Sequence, residues 1–474
     1  MKKATKVVII GAGPAGLGCA YELVENRQGR DVLVLEKNDS VGGLSRTINY
    51  KGNYFDVGPH RFYTKNNEVL SLWKKIGGKD LITDSRLTRI YYNNKFFLYP
   101  VQFKDVILKL GLKENFLCGV SFLQAKIMLR KLEPKTFEEW ITKNFGSKLY
   151  RMFFKTYTEK VWGIPCKKIG ASWATQRIKN MSFLEAFKTS VLGQRSRKAK
   201  SLVDHFYYPN LGSGQMYRKL AGDISRAGGQ ISLTSKVTKL IRKNKTIVAV
   251  EYNQNGKMMS IPVSHLFSSM PLTELVSLLS PKADPQILKA AQKLYFHDHI
   301  TVNLIIKQKN IFLDNWIYIH ASEVEMARIA NFGNFSAKMV QNKNHSAVCA
   351  EYFVFQNEKL WKLSDKEIID LASAELEKIG LVSREDISEG FVARETESYP
   401  TYYLGYEKYY EKIKNYVNGF TNLQAIGRGG MYKYNNMDHS IYSGMLGARN
   451  LISGKKQYDL WSINEDAEYL EERK

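Results

Sequence analysis

A glycine-rich turn near the N-terminus constrains the fold more than any other stretch of this chain. An apolar run, Val7–Ile10, leads into the sequence Gly-Ala-Gly-Pro-Ala-Gly and then into an apolar pattern that is typical of a helix. A second apolar run, Val32–Leu35, ends directly before Glu36. Strand, turn, helix, strand and acid occur in the order that a dinucleotide-binding βαβ unit requires. The sequence therefore predicts an α/β fold that binds a dinucleotide.

The glycines of this turn each have a physical reason. Gly11 permits the tight turn, Gly13 lets a diphosphate approach the backbone, and Gly16 lets the helix pack closely on the strand. The helix N-terminus adds free N–H groups and a positive dipole end for phosphate, and Glu36 is spaced to accept hydrogen bonds from a ribose. The predicted contacts with the dinucleotide are Gly11, Gly13, Pro14, Ala15, Gly16, Glu36 and Lys37.

A second glycine pair, Gly42–Gly43, follows the acidic strand and favours a flavin over a nicotinamide. Glycines at this point let the chain wrap around a larger dinucleotide. The two motifs together resemble the FAD-binding signature shared by amine oxidases, protoporphyrinogen oxidases, phytoene desaturases and UDP-galactopyranose mutases. The resemblance implies a flavoprotein in which Gly43, Leu44 and Ser45 also contact FAD.

Composition limits the compartment and the partners. The 474 residues exceed what one core usually serves, and no apolar run reaches the roughly 18 residues of a membrane-spanning helix. The N-terminal residues lead straight into a strand, so no signal peptide is expected. Four scattered cysteines have neither metal-ligand spacing nor the density of a disulfide scaffold. We therefore expect a cytoplasmic protein without a metal site.

The net charge of +24 suggests anionic partners, namely nucleotide phosphates, a membrane surface or nucleic acid. The alternative explanation of this charge is a lysine-rich, solvated surface without such a partner. Nucleic acid is not expected, because no motif that reads RNA or DNA accompanies the charge. The densest basic stretch, residues 195–200, lacks interleaved aromatic residues and is predicted to be a loop.

The middle of the chain alternates between sheet and helix patterns. Residues 85–101 predict a hairpin, and residues 291–355 predict an antiparallel sheet over the flavin. Residues 103–143 predict helices that break at Gly111 and Gly119. Their apolar face could be buried in the protein or could touch a membrane, and we favour burial because most such stripes are buried. This face comprises Val106, Leu108, Leu110, Leu117, Val120, Leu123, Ile127, Leu129 and Leu132.

Taken with the resemblance, these patterns predict an FAD-binding Rossmann-like domain of the glutathione-reductase type, an interleaved antiparallel β-sheet substrate domain and a helical insertion. The FAD-binding domain is expected in three segments, 1–80, 206–285 and 416–474. Residues 81–205 are expected to form the hairpin and helical insertion, and residues 286–415 the substrate domain.

Three further stretches resemble UDP-galactopyranose mutases. They are residues 157–165 followed by residues 173–177, residues 398–401 and residues 427–440. The resemblance implies that Arg177 grips a substrate diphosphate and that Tyr399 and Tyr434 bind its phosphates. It also implies further FAD contacts at Pro59, His60, Val237, Gly427, Arg428, Asn436, Met437 and Ser440.

The chain departs from these mutases near the flavin. Their Gly-Gly-His turn is replaced by Gly58-Pro59-His60, which proline makes stiffer, and Met437 replaces a glutamine. His60 is expected beside the flavin ring without carrying a proton. The second diphosphate-binding cation has two candidates, Arg328 and Lys307.

The resemblance implies an FAD-dependent enzyme that interconverts ring forms of a nucleotide-diphosphate sugar through an adduct at N5 of reduced flavin, for cell-surface polysaccharide synthesis. NAD(P)H is a candidate reductant of the flavin. The alternative is an oxidoreductase of the amine oxidase or protoporphyrinogen oxidase type that acts on an amine or hydrophobic substrate. For either enzyme, peripheral contact with a membrane is a candidate interaction. The sequence leaves the sugar, the nucleotide and the oligomeric state open.

Overall fold

The computed structural model describes residues 6–26, 31–99, 101–171 and 205–464. Two large sheets, two small ones and a helical lobe make up this part of the chain. The strands are β1 Lys6–Ile10, β2 Val32–Leu35, β3 Thr47–Tyr50, β4 Asn53–Asp56, β5 Leu81–Ser85, β6 Thr88–Tyr92, β7 Lys95–Leu98, β8 His205–Pro209, β9 Gln230–Ser232, β10 Ser235–Lys243, β11 Thr246–Gln254, β12 Lys257–Ser268, β13 Leu279–Ser280, β14 Phe296–Ile306, β15 Trp316–Ile319, β16 Arg328–Asn331, β17 Ser346–Val354, β18 Ile387–Pro400 and β19 Leu423–Ala425.

The helices alternate with these strands along the chain. They are α1 Pro14–Glu25, α2 Asn67–Gly77, α3 Phe103–Leu110, α4 Leu112–Met128, α5 Phe137–Phe145, α6 Ser147–Tyr150, α7 Thr156–Trp162, α8 Gly214–Arg226, α9 Leu272–Ser277, α10 Pro285–Ala291, α11 Lys359–Lys362, α12 Asp365–Lys378, α13 Glu407–Asn418, α14 Gly427–Met431 and α15 Met437–Ile452.

The first sheet contains the predicted βαβ unit. Its strand order is β13-β10-β11-β12-β1-β2-β9, and β19 also pairs with β12. β1 lies parallel to β2 and to the second half of β12, so the strands that follow the glycine turn are central and buried. β12 pairs antiparallel with β11 through its first half, after a hairpin turn at Asn255 and Gly256. The α/β fold predicted from the N-terminus is confirmed.

Helices α1 and α15 cross at backbone contact. A Cβ atom on Gly444 would lie 2.0 Å from the carbonyl oxygen of Ala15, and one on Gly18 would lie 2.8 Å from that of Ile441. Glycine is required at both points because any side chain would push the helices apart. The crossing brings the N-termini of the first long helix and the last long helix of the described chain to one place.

The second sheet has the order β18-β14-β17-β16-β15-β6-β7. It is antiparallel except where β15 pairs parallel with β6, so the predicted hairpin of residues 85–101 joins the predicted antiparallel sheet. On one face, Ile300 and Val302 of β14 pack against Ile368 of α12. That helix begins after Ser364, which forms the capping box with Glu367. His299, Thr301 and Asn303 alternate with Ile300 and Val302 along β14 and lie on the opposite face, with Glu351 opposite Thr301.

The helical lobe comprises α3–α7 and has a core of its own around Phe137, Ile141 and Tyr150. Two sequence expectations are wrong here. Gly119 lies inside α4, whereas Gly111 does end α3. Burial of the apolar stripe fails at Leu108, Leu123 and Ile127, which are 73%, 60% and 77% exposed. In the part of the chain that the structure describes, no helix is long and apolar enough to cross a membrane.

Candidate functional site

A cavity of about 460 Å³ lies between the two large sheets. One wall consists of the turns after β1 and β2 and the start of α15, and the other consists of side chains from the second sheet. Nearly all the residues expected at the site line this cavity: Gly11, Gly13, Pro14, Ala15, Glu36, Lys37, Gly43, Leu44, Ser45, Pro59, His60, Val237, Arg328, Tyr399, Gly427, Arg428, Tyr434, Asn436, Met437 and Ser440. Gly16 lies behind the wall, where a Cβ would be 1.8 Å from the carbonyl oxygen of Gly11.

The two glycine motifs face each other across the floor of the cavity. A Cβ on Gly13 would lie 3.8 Å from the Cα of Gly43, and the N–H of Gly42 donates to the carbonyl of Ala12 at 2.8 Å. No side chain caps the N-terminus of α1 at Gly13. Backbone N–H groups at an uncapped helix N-terminus attract phosphate. This part of the cavity fits a diphosphate.

Glu36 is buried at the carboxyl end of β2. Its Oε2 accepts from the N–H of Ala12 at 2.7 Å, and its Oε1 accepts from the N–H of Asn38 at 2.9 Å. Those two bonds fix the carboxylate beside the glycine turn, and each oxygen keeps a lone pair for a further donor. Val237 of the neighbouring β10 lines the same end of the cavity. This end fits the ribose and the base of a dinucleotide.

The start of α15 supplies the opposite wall. Asn436 is its N-cap and forms a capping box with His439. The N–H of Gly427 donates to Oγ of Ser443 at 2.9 Å, which holds the preceding turn against the helix. Met437, where the mutases have a glutamine, lines the cavity with a side chain that cannot donate a hydrogen bond.

His60 is neutral at ordinary pH. Its Nδ1 lies 2.7 Å from the carbonyl oxygen of Gly58, which can only accept, so Nδ1 carries the proton and Nε2 is left as an acceptor. Burial lowers the pKa of His60 to about 4 despite that bond. Gly58 has a φ of +84°, which strains any residue except glycine. His60 therefore lines the cavity as an uncharged imidazole.

Arg328 and Glu351 form a buried ion pair in the wall. Nη2 of Arg328 donates to Oε1 of Glu351 at 2.6 Å, Nε donates to Oε2, and Nε2 of His299 donates to Oε1 at 3.0 Å. Burial alone would raise the pKa of Glu351, but the charge of Arg328 and these hydrogen bonds lower it to about 2. The charge of Arg328 is thus largely compensated by this carboxylate. Lys307, the other candidate cation, is exposed at the end of β14 and does not line the cavity.

Tyr399, Tyr434 and Arg428 form one cluster. The two tyrosine rings have centroids 5.5 Å apart, and the guanidinium carbon of Arg428 lies 4.9 Å and 5.0 Å from them. Nε of Arg428 donates to the carbonyl of Asn435 at 2.9 Å, which fixes the side chain. Burial, and then the neighbouring Tyr434, raises the pKa of Tyr399, so its hydroxyl remains a donor.

Trp162 supports this cluster from behind. Its ring is buried and lies 6.0 Å from that of Tyr434 and 5.9 Å from that of Tyr402. It packs in the core of the helical lobe. Arg177, the predicted diphosphate clamp, lies outside the described residues, as does the basic stretch 195–200.

Several cavity residues were missed by the sequence reasoning. Trp316 and Tyr318 of β15 line the cavity with Tyr99, whose ring centroid is 4.7 Å from that of Tyr318. Arg61 lies over Trp316 at 5.6 Å. Glu351 was missed as well. Alternation along β15 groups Trp316 with Tyr318 on one face, but only the sheet packing reveals that this face meets the cavity.

Facing glycines, an uncapped helix N-terminus and a buried glutamate beside them define a dinucleotide-binding protein. The family model for flavin containing amine oxidoreductases matches residues 14–452. The chain belongs to this family, and FAD is its cofactor.

Individual relatives are more distant. The chain is 28% identical over 178 residues to a probable UDP-galactopyranose mutase of Klebsiella pneumoniae, a match that covers 35% of this chain and 43% of the relative. It is 29% identical, again over 178 residues, to a dTDP-fucopyranose mutase of Escherichia coli, covering 35% and 44%. These matches span less than half the length of either relative.

A solved structure matches over almost the whole length. The crystal structure of reduced UDP-galactopyranose mutase aligns with a TM-score of 0.83 at 20% identity, covering 98% of both chains. At this identity the likeness establishes the fold.

Proposed function

We propose that this chain is an FAD-dependent mutase that interconverts ring forms of a nucleotide-diphosphate sugar. The observation that carries the proposal is the cluster of Tyr399, Tyr434 and Arg428 on the cavity wall. Two phenol donors beside a guanidinium suit a dianionic leaving group, which needs hydrogen bonds and positive charge rather than a proton donor. The mutase names of the two relatives support the same reading.

When bound in its reduced form, FAD would supply a nucleophilic flavin nitrogen to the anomeric carbon of the sugar. The protein's own part is to bind and orient. The hydroxyls of Tyr399 and Tyr434 donate to diphosphate oxygens, and Arg177 adds charge from the segment predicted to clamp the diphosphate. Arg328 contributes as a positioned, partly compensated cation because Glu351 holds it. Neutral His60 accepts a hydrogen bond at Nε2 and moves no proton.

We further propose that the enzyme works in the cytoplasm in cell-surface polysaccharide synthesis, with NAD(P)H as the reductant. All four cysteines are buried and unpaired, which suits a reducing compartment.

The proposal is tested with the purified flavoprotein in its oxidised and dithionite-reduced forms. UDP-galactopyranose and dTDP-fucopyranose are added to each form, binding is followed by the flavin spectrum, and the sugar is separated chromatographically. We expect conversion to the furanose with reduced enzyme only. If the reduced enzyme neither binds nor converts either sugar, the proposal of a mutase for these nucleotide sugars is refuted.

A second candidate, an oxidoreductase of an amine or hydrophobic substrate, is supported by the aromatic residues Trp316, Tyr318 and Tyr99 on the cavity wall. The same preparation distinguishes the two. An amine or hydrophobic substrate that bleaches the oxidised flavin under anaerobic conditions would favour the oxidoreductase, whereas a mutase substrate leaves the flavin oxidation state unchanged.

A further inference from the structure

An apolar surface covers the outer side of α3 and α4. Of the fifteen large hydrophobic side chains exposed in the described part of the chain, eight lie on these two helices. Leu112 is 92% exposed and Met128 is 80% exposed. This α3–α4 face consists of Ile107, Leu108, Leu112, Phe116, Leu117, Leu123, Ile127 and Met128.

The arrangement along α4 reverses that of an ordinary surface helix. At 3.6 residues per turn, Leu112, Phe116, Leu123 and Ile127 fall within about 60° of one another. The buried residues Cys118 and Ala125 lie on the opposite side of the helix. Small side chains therefore pack inward and large apolar ones face outward, so the large residues serve a contact outside the fold.

Positive charge surrounds this face. Six exposed basic residues lie on or beside the two helices: Lys104, Lys113, Lys126, Arg130, Lys131 and Lys135. Asp105 pairs with Lys109 at 2.6 Å and Glu114 pairs with Lys148 at 2.8 Å, while Glu133 is an exposed acid among the six basic residues. The whole chain carries a net charge of +24. An apolar face with a basic rim is complementary to anionic lipid headgroups above acyl chains.

We propose that the α3–α4 face binds the surface of a bilayer that contains anionic phospholipids. The 17 residues of α4 span about 25 Å at 1.5 Å per residue, and the helix lies in the plane of the membrane with Phe116 and Leu123 below the headgroups. Charge argues against two other occupants. A second copy would bring two basic rims together, and residues 172–204 of this chain carry seven basic and two acidic residues.

The test is flotation of the full-length flavoprotein with vesicles of phosphatidylcholine, alone or mixed with phosphatidylglycerol. We expect binding to the mixed vesicles that weakens as salt is raised. The surface variant Leu112→Gln/Phe116→Gln/Leu123→Gln/Ile127→Gln should lower the bound fraction by about tenfold or more, since it removes four membrane-inserted apolar groups. Met258→Gln/Met259→Gln, which alters exposed apolar residues on β12, is the matched control and should float like the parent.

Three results would overturn the proposal. The first is that the parent protein does not float with the mixed vesicles, and the second is that the four-residue variant floats as well as the parent. The third is that the parent sediments as a dimer and does not bind vesicles, while the four-residue variant sediments as a monomer. Retained FAD in the variant, read from the flavin absorbance, establishes that loss of flotation does not come from misfolding.

Discussion

Oε1 of Glu351 accepts hydrogen bonds from both Nη2 of Arg328, at 2.6 Å, and Nε2 of His299, at 3.0 Å. Glu351 and His299 are buried in the sheet, and the guanidinium reaches the cavity wall. The carboxylate thus sets both the position of the guanidinium and the charge that it offers to a ligand.

Glu351→Gln should destabilise the protein strongly. The change leaves a buried guanidinium without its counter-charge, which costs about 3–5 kcal/mol of the free energy of unfolding. Thermal or urea unfolding measures it. Glu389→Gln is the control, because Glu389 pairs with Lys51 where the two side chains are 37% and 60% exposed, and such an exposed pair contributes little to stability. If the two variants lose the same free energy of unfolding, Glu351 is not the counter-charge that stabilises Arg328.

Tyr399→Phe and Tyr434→Phe should each weaken binding of a nucleotide-diphosphate sugar to reduced enzyme by about 10- to 100-fold. A hydrogen bond to a charged phosphate contributes about 1.5–3 kcal/mol, while the phenyl ring keeps the packing. Titration followed by the flavin spectrum gives the affinity. Tyr403→Phe is the matched control, since its hydroxyl donates to the carbonyl of Lys293 outside the cavity. Unchanged affinity in the first two variants would argue against diphosphate contact.

Gly13→Ala and Gly16→Ala should fail in different ways. A Cβ at Gly13 meets only Gly43 at 3.8 Å, an ordinary contact, so the protein should fold but lose FAD because the methyl group occupies the diphosphate path. A Cβ at Gly16 meets the Gly11 carbonyl at 1.8 Å, so this variant should unfold at lower temperature even without FAD. The measurements are the flavin-to-protein ratio and the melting temperature of the apoprotein. A Gly13→Ala protein with full flavin content would contradict the assignment.

His60 should make the protein sensitive to acid. Its folded pKa, lowered to about 4, lies below the ordinary 6.5, so between these values the unfolded state binds more protons. The contribution of His60 to the free energy of unfolding is fully present above pH 6.5. It falls by about 1.4 kcal/mol per pH unit as the pH decreases toward 4.

His60→Asn keeps a donor near the Gly58 carbonyl and removes the titration. The fall in melting temperature between about pH 7 and about pH 5 should therefore be smaller in this variant than in the parent. His345→Asn, at a half-buried histidine that does not line the cavity, is the control variant. If the melting temperature of His60→Asn depends on pH as that of the parent does, the pKa of His60 is not lowered in the folded protein.

The fold of the N-terminal part could be predicted from the sequence, because the signals for this fold are local. Val7–Ile10, the glycine turn and Glu36 lie within one short stretch, and their spacing alone requires the βαβ unit. The outward face of α4 could not be predicted in the same way. Periodicity reveals that Leu123 and Ile127 share a side of the helix, but which side meets the core depends on the packing of Cys118 and Ala125.

Long-range pairing limited prediction of the site. Tyr399 and Tyr434 were found through their motifs, yet Arg428 between them was expected at the flavin phosphates alone. Glu351 and Trp316 lie on strands whose alternation has no chemical signature. The role of Glu351 follows only from the sheet register that sets Arg328 opposite Glu351.

The crossing of α1 and α15 at Gly444 has a consequence for biosynthesis. The glycine turn emerges from the ribosome more than 400 residues before Asn436 and Met437, which close the same cavity. Until then the first helix has no partner for the surface around Gly18. Cofactor capture should therefore follow synthesis of residues 436 and 437, and nascent chains interrupted before residue 437 should leave the ribosome without flavin.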